Sequence, residues 1–236
     1  MTERHDQQRR DFLHQLIGAG AVAAGTSLLG GCAVAAAGGR SEHIAPPATG
    51  AGVWDMSWKD RLSRYRTAYD SPEAYSGAAL AYADALFSGY KELGIASREI
   101  TPVLILRHAA SAMVLGDSMW DRLSFGETYQ LKDPTTGDAA RRNPFINFKP
   151  DDKHSVVDED SALDALIQRG AIVLACNIAL TGVANRLAKK ETRYSATAAL
   201  AEVRRHVLPG VYVMPNGVFA VSAAQDAGCH YMRVIV

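Results

Sequence analysis

Two short runs constrain this chain more than any other feature. Pro102 to Arg107 reads PVLILR and Ala171 to Cys176 reads AIVLAC. Both are apolar at nearly every position, so as strands they must be buried on both faces. A strand covered on both sides needs a layer above it and a layer below it. Helical patterns alternate with these runs. A short strand near Arg64 to Tyr69 leads into a helix expected to start with Ser71 as N-cap and Pro72 in the first turn. That helix carries Ala79, Tyr82, Ala83, Leu86, Phe87, Tyr90 and Leu93 on one stripe and closes at Gly94. A helix over about Asp158 to Arg169 precedes AIVLAC, and NIALTGVANRLAKK follows it. VYVMP and YMRVIV supply two last strands, separated by a helix holding Val218, Val221 and Ala224 and ending at Gly228. The alternation predicts an α/β fold, a five-stranded and mostly parallel sheet with helices on both faces.

The first 53 residues stand apart from this pattern. Arg9 and Arg10 precede Asp11, Phe12 and Leu13, and no charge occurs from Leu16 to Ala37. That run is long enough to span a bilayer, but Gly18, Gly20, Gly25, Gly30 and Gly31 dilute it. A basic start, a mildly apolar middle and small residues at the end describe an export signal over residues 1–37. The arginine pair resembles the twin-arginine motif read by the Tat translocase. LLGGC, ending at Cys32, resembles a lipobox, whose lipidated cysteine would tether the protein to a membrane. Ala33 to Ala37 offers A-x-A cleavage instead. Residues 38–53, rich in Gly, Pro, Ala and Ser, read as a flexible linker. The chain is then expected in the periplasm, with its domain over 54–236.

Charge narrows the partners. Lys+Arg 25 balances Asp+Glu 25, so no basic excess points to nucleic acid. Trp54, Trp58 and Leu62 are spaced as a short helix covering the core. Residues 121–153 read as a long inserted loop, with Phe145 and Phe148 as exposed contact residues. Met113 and Met119 read as packing residues, and no metal or cofactor motif is found.

In a parallel sheet every strand ends on one edge, where open α/β sheets bind ligands. Asp70 and Glu73 follow the first strand, Arg107 and His108 the second, Cys176 and Asn177 the third, and Asn216 the fourth. Cys176 ends a strand and opens a helix. A thiol so placed meets the positive end of a helix dipole, which favours thiolate. Read from spacing alone, the packing of a small buried residue at the strand end is the better reading. Cys229 precedes its strand and so belongs to the opposite edge. A five-residue strand separates the edges by roughly 16 Å, whereas a disulfide needs Cα atoms within about 7 Å. No Cys176–Cys229 disulfide is expected.

VLILRHAASAMVLGDSMW, AIVLACNIAL and LPGVYVMPNGVFAVSAAQDAGCHYMRVIV resemble the DsrE/DsrF-like family of small α/β proteins, in its exported, twin-arginine-bearing branch. The resemblance runs from about Tyr65 to Val236. It implies a flavodoxin-like three-layer sandwich and a trimer or hexamer. It also implies that Cys176 carries sulfane sulfur as a persulfide. In a sulfur-handling reading built on that cysteine, Arg107 would hold the anionic donor and His108 would assist proton transfer. Asp70, Glu73, Asn177 and Asn216 are the candidate ligand-binding residues around them. Sulfur-relay members of that family are cytoplasmic, whereas this chain carries an export signal. A non-enzymatic binding module, using the same edge with Cys176 as packing, is the other reading.

Overall fold

The structure is a computed structural model that describes residues 54–149, 151–153 and 157–235. The expected export signal over 1–37, the expected lipobox cysteine Cys32 and the expected linker over 38–53 lie outside the described residues. Among the described residues no helix is long and apolar enough to cross a membrane.

The five strands are β1 (Tyr65–Ser71), β2 (Ile100–Leu106), β3 (Ile172–Cys176), β4 (Val211–Met214) and β5 (His230–Arg233). They form one sheet in the order β4-β3-β2-β1-β5, and every pairing is parallel. The chain steps from β1 to β4 in one direction and then jumps back to place β5 beside β1. Right-handed crossovers turn such a reversal into a change of face. Helices α1 (Ala78–Glu92), α4 (Leu163–Gln168), α5 (Asn177–Lys190) and α6 (Ala196–Arg205) cover one face, and α7 (Gly217–Asp226) covers the other. Alternate side chains of each strand serve the two cores. Tyr69, Leu104, Leu106, Val173 and Ala175 point to the first. Ala68, Val103, Ile105, Ile172 and Leu174 point to the second, where Trp58 from the 3-10 turn Ser57–Arg61 completes the cover. The three-layer α/β expectation therefore stands, with a second layer much thinner than the first.

Several expected boundaries move. The first helix does not begin at Ser71. Ser71 is the last residue of β1, fully buried, and its hydroxyl donates to the Glu73 carbonyl at 2.6 Å instead of accepting from a helix N–H. A 3-10 turn over Tyr75–Gly77 intervenes, and Gly77, at φ +92°, begins α1. The helix expected over 158–169 shrinks to α4. Asp158 and Ser161 bond each other's backbone and side chain in a closed turn, which removes them from the helix. Helix α6, capped by Ser195 onto the Ala198 N–H at 3.2 Å, was not anticipated.

The largest refinement concerns residues 121–153. From Gln130 onward its described residues form no helix or extended strand, as expected of a loop, but the segment packs against the first core. It takes in the end of α2 (Asp117–Leu123) and all of α3 (Phe125–Tyr129). Phe125, Phe145 and Ile146 are buried, and both phenylalanine rings meet Trp120 edge-on at 5.7 and 6.1 Å. Phe145 is thus no exposed contact, and Phe148 is partly buried against the same core. Buried Asn143 pins the segment by donating to the carbonyls of Met113 and Leu115 at 2.7 and 2.9 Å. A Cβ on Gly126 would stand 2.2 Å from the Ala140 backbone nitrogen, so only glycine allows that approach. Met113 and Met119 pack in the same core, as read from the sequence.

Candidate functional site

The change of face creates a crevice. β3 and β4 are neighbours, yet β3 continues into α5 on the first face and β4 into α7 on the second. The point where adjacent connections part is where open α/β sheets bind ligands, outside the carboxyl ends of the strands. A cleft of about 460 Å³ lies there. Arg107, His108, Cys176 and Asn216 line it, together with Tyr129, Ile178, Ala179, Gly182, Val183, Arg186, Gly217 and Val218.

Two helices begin at this cleft. Cys176 ends β3 and caps α5, its Sγ accepting the Ala179 N–H at 3.4 Å. Asn216 caps α7, its Oδ1 accepting the Phe219 N–H at 2.8 Å. Each helix geometry leaves early N–H groups without an intrahelical acceptor. The two positive helix ends make the crevice favourable to an anion.

Arg107 is held from behind. Its Nε and Nη2 donate to the two carboxylate oxygens of Asp70 at 2.6 and 3.0 Å, and the Tyr231 hydroxyl donates to the same carboxylate at 3.1 Å. Asp70 is only 4% exposed. The hydrogen bond to Asp70 raises the Arg107 pKa above its ordinary value, against desolvation, and Cys176 adds a smaller electrostatic contribution. Burial is the main cause raising the Tyr231 pKa, with the Asp70 charge behind it. Gly217 completes the clamp. A Cβ there would lie 2.6 Å from the Arg107 Cβ, so glycine lets the first turn of α7 rest on the arginine stem.

Arg186 is a different kind of cation. It donates to the Thr128 hydroxyl at 2.9 Å, the Leu123 carbonyl at 3.2 Å and the Tyr129 hydroxyl at 3.5 Å. Its guanidinium lies 5.3 Å from the Phe125 ring centre. All these partners are neutral, and among the described residues no carboxylate pairs with it. Arg107 is charge-compensated, so Arg186 brings the uncompensated positive charge to the cleft.

The sequence-derived residues therefore divide. Cys176, His108, Arg107 and Asn216 meet at one cleft. His108 is exposed and sits at φ +48°, opening the 3-10 turn His108–Val114. Asp70 lies behind Arg107 as its counter-ion. Asn177 turns to accept from Arg204 at 2.6 Å. Glu73 is exposed and does not line the cleft. Sequence reading missed Tyr129 and Arg186. Tyr129 was hidden in the supposed loop. Arg186 was legible, because Ala179, Gly182, Val183 and Arg186 form one stripe on the helix that starts at Cys176. Cys176 and Cys229 are both free, and among the described residues no group of three or more His, Cys, Asp or Glu is arranged to hold a metal ion. Comparison with family models, with curated proteins and with solved structures gives no match to this chain.

Proposed function

We propose that this is an exported, DsrE-like protein that handles sulfane sulfur through a persulfide on Cys176. The observation that carries the reading is the position of Cys176, a free thiol at the point where the connections change face, facing a ligand-sized cleft between two helix N-termini. The Cys176 thiolate attacks the sulfane sulfur of a persulfide or thiosulfate-like donor. A bond forms from Sγ to that sulfur, and its bond to the rest of the donor breaks. The leaving thiolate or sulfite departs with the electron pair, so no oxidant is needed. The thiol proton passes to His108 or to water. Arg107 keeps Nη1 clear of Asp70 and, with the helix ends, holds the anionic donor. The test is incubation of the protein with thiosulfate or an organic persulfide, followed by mass spectrometry of the intact chain. A gain of one sulfur atom on the Cys176 peptide supports the reading, and its absence with both donors removes it.

A second reading rests on one observation. Cys176 is 6% exposed and its sulfur already caps α5, as a packing residue would. In that case the cleft is a small-ligand or protein-binding site with a structural cysteine. Alkylation of the folded protein separates the two, because a packing Cys176 reacts no faster than Cys229.

The export route and assembly belong to the same proposal. Changing Arg9 and Arg10 to lysine should retain precursor in the cytoplasm, and normal export of that variant would exclude the Tat route. A trimer or hexamer is expected in sedimentation at micromolar concentration, and a monomer would contradict it.

A further inference from the structure

The size and charge of the cleft point beyond an inorganic donor. A small inorganic anion takes the room of a few waters, roughly 100 Å³ at about 30 Å³ each. The cleft holds about 460 Å³, within the range of roughly 300–1,000 Å³ typical for sites of organic ligands. Cys176 and Arg186 are ten residues apart on one helix, so about 15 Å along its axis separates them. The wall between them is Ala179, Gly182 and Val183, which offers no charge and no hydrogen-bonding side chain. At its far end the partly buried Arg186 guanidinium meets only neutral acceptors and aromatic rings. A partly buried cation with no counter-ion among the described residues favours an anion from outside the chain.

We infer that the cleft takes an organic anion with an apolar body, its carboxylate-like end on Arg186 and its other end at Cys176. The inference rests on the sulfur-handling reading only for what happens at Cys176, where the ligand would present its persulfide. Arg186 is then a specificity residue that selects organic donors over inorganic ones.

Calorimetric titration of the full-length chain with octanoate and with octanol tests this directly. Octanoate matches the apolar body and the anionic end, and octanol lacks only the charge. Octanoate should bind at least about tenfold more tightly than octanol, the usual return of a charged hydrogen bond. Arg186→Gln should bring octanoate down to the octanol level. That arginine also ties α5 to Leu123 and Thr128, so the variant risks unfolding. Gly182→Leu is the safeguard. A Cβ on Gly182 meets nothing within 4 Å, so leucine should fill the cleft without disturbing the fold and abolish binding of both probes. Equal affinity for octanoate and octanol would overturn the inference, as would unchanged binding in the folded Gly182→Leu variant. Octanoate carries no sulfur, so the result is independent of the thiol chemistry. Octanoate binding without sulfur loading removes the persulfide reading alone. Sulfur loading from thiosulfate without octanoate binding removes this inference alone.

Discussion

Cys176 and Cys229 are hidden to the same degree, at 6% and 7% exposure, and each has an arginine and a glycine beside it. Their settings are otherwise opposite. Cys176 closes β3 at the carboxyl edge, accepts a helix N–H and faces a cleft with Arg107 and Gly217. Cys229 precedes β5 at the amino edge, behind Gly228 and near Arg66. Arg66 is turned to the carbonyls of Gly228 and Ser63. Burial pushes the Cys229 thiol above its ordinary value, and Arg66 only partly opposes it. Equal burial with unequal surroundings teaches that exposure does not decide what a cysteine can do here. In the proposed reading the edge of the sheet decides it, because at the carboxyl edge the N-termini of α5 and α7 meet at one cleft.

The comparison is broken or kept most sharply by exchanging one sulfur at a time. Cys176→Ser should abolish sulfur loading, whereas Cys229→Ser should load like the parent chain, both read by mass spectrometry after exposure to an organic persulfide. Loading that survives Cys176→Ser, or vanishes with Cys229→Ser, would end the assignment of chemistry to the carboxyl edge.

The next effect is on stability. Asp70→Asn removes the charge that compensates Arg107. Breaking one side of a fully buried pair costs about 3–5 kcal/mol. The Arg107 side chain is 21% exposed, and water there recovers part of the loss, so about 2–4 kcal/mol is expected in denaturant unfolding. A loss below about 1 kcal/mol would show that Arg107 is held by the Gly217 contact instead.

The two glycines extend the comparison. At Gly217 an added methyl collides with the Arg107 stem at 2.6 Å, and Asp70 holds the far end of that side chain. Gly217→Ala should cost about 2 kcal/mol by overpacking and should also slow sulfur loading. Gly228 is at φ +79°, and its nearest neighbour is the side-chain tip of Arg66, Nη2 at 2.9 Å. Gly228→Ala should cost about 1 kcal/mol through the left-handed backbone and leave loading untouched. Equal effects on loading would mean that the clamp on Arg107 is not part of the site.

How much of this was legible without coordinates differs between the same two edges. The strands of the carboxyl edge announce themselves. The apolar runs before Arg107 and Cys176 can only be central strands, and a parallel sheet gathers whatever follows them. That reasoning reached Arg107, His108, Cys176 and Asn216. It could not separate residues that face the cleft from residues that support it. Asp70 and Asn177 are also polar groups near strand ends, but each faces an arginine of its own. Residues 121–153 escaped for another reason. Their anchors, Phe125, Asn143 and Phe145, follow no period, and glycine, proline and charge surround them. Those charges are largely engaged within the segment, as when Arg142 pairs with Asp133 and Asp152. Pattern reading finds regular elements, and this layer is held by irregular ones. Tyr129 of the site was lost with it.

The smallest expected effect concerns the amino-edge cysteine at high pH. Cys229 has its native-state pKa raised above the ordinary thiol value of 9.0, chiefly by burial. The unfolded chain therefore releases this proton first. Below about pH 9 both states hold the proton, and Cys229 contributes its full packing. As the pH rises through the ordinary value toward the raised one, only the unfolded state ionises, and stability falls. A single group can cost at most about 1.4 kcal/mol for each pH unit in that window. Tyr69, raised to about 12 by burial, adds a loss of the same sign at higher pH, so the parent chain should weaken steadily on the alkaline side. Cys229→Ala removes one source. Urea unfolding at about pH 8, 9 and 10 should show the variant starting slightly less stable, through lost packing, and then losing less per unit than the parent. Parallel losses in the two proteins would mean that Cys229 ionises as easily in the folded state as in the unfolded one. The contrast between a working edge and a packed edge would then rest on Cys176 alone.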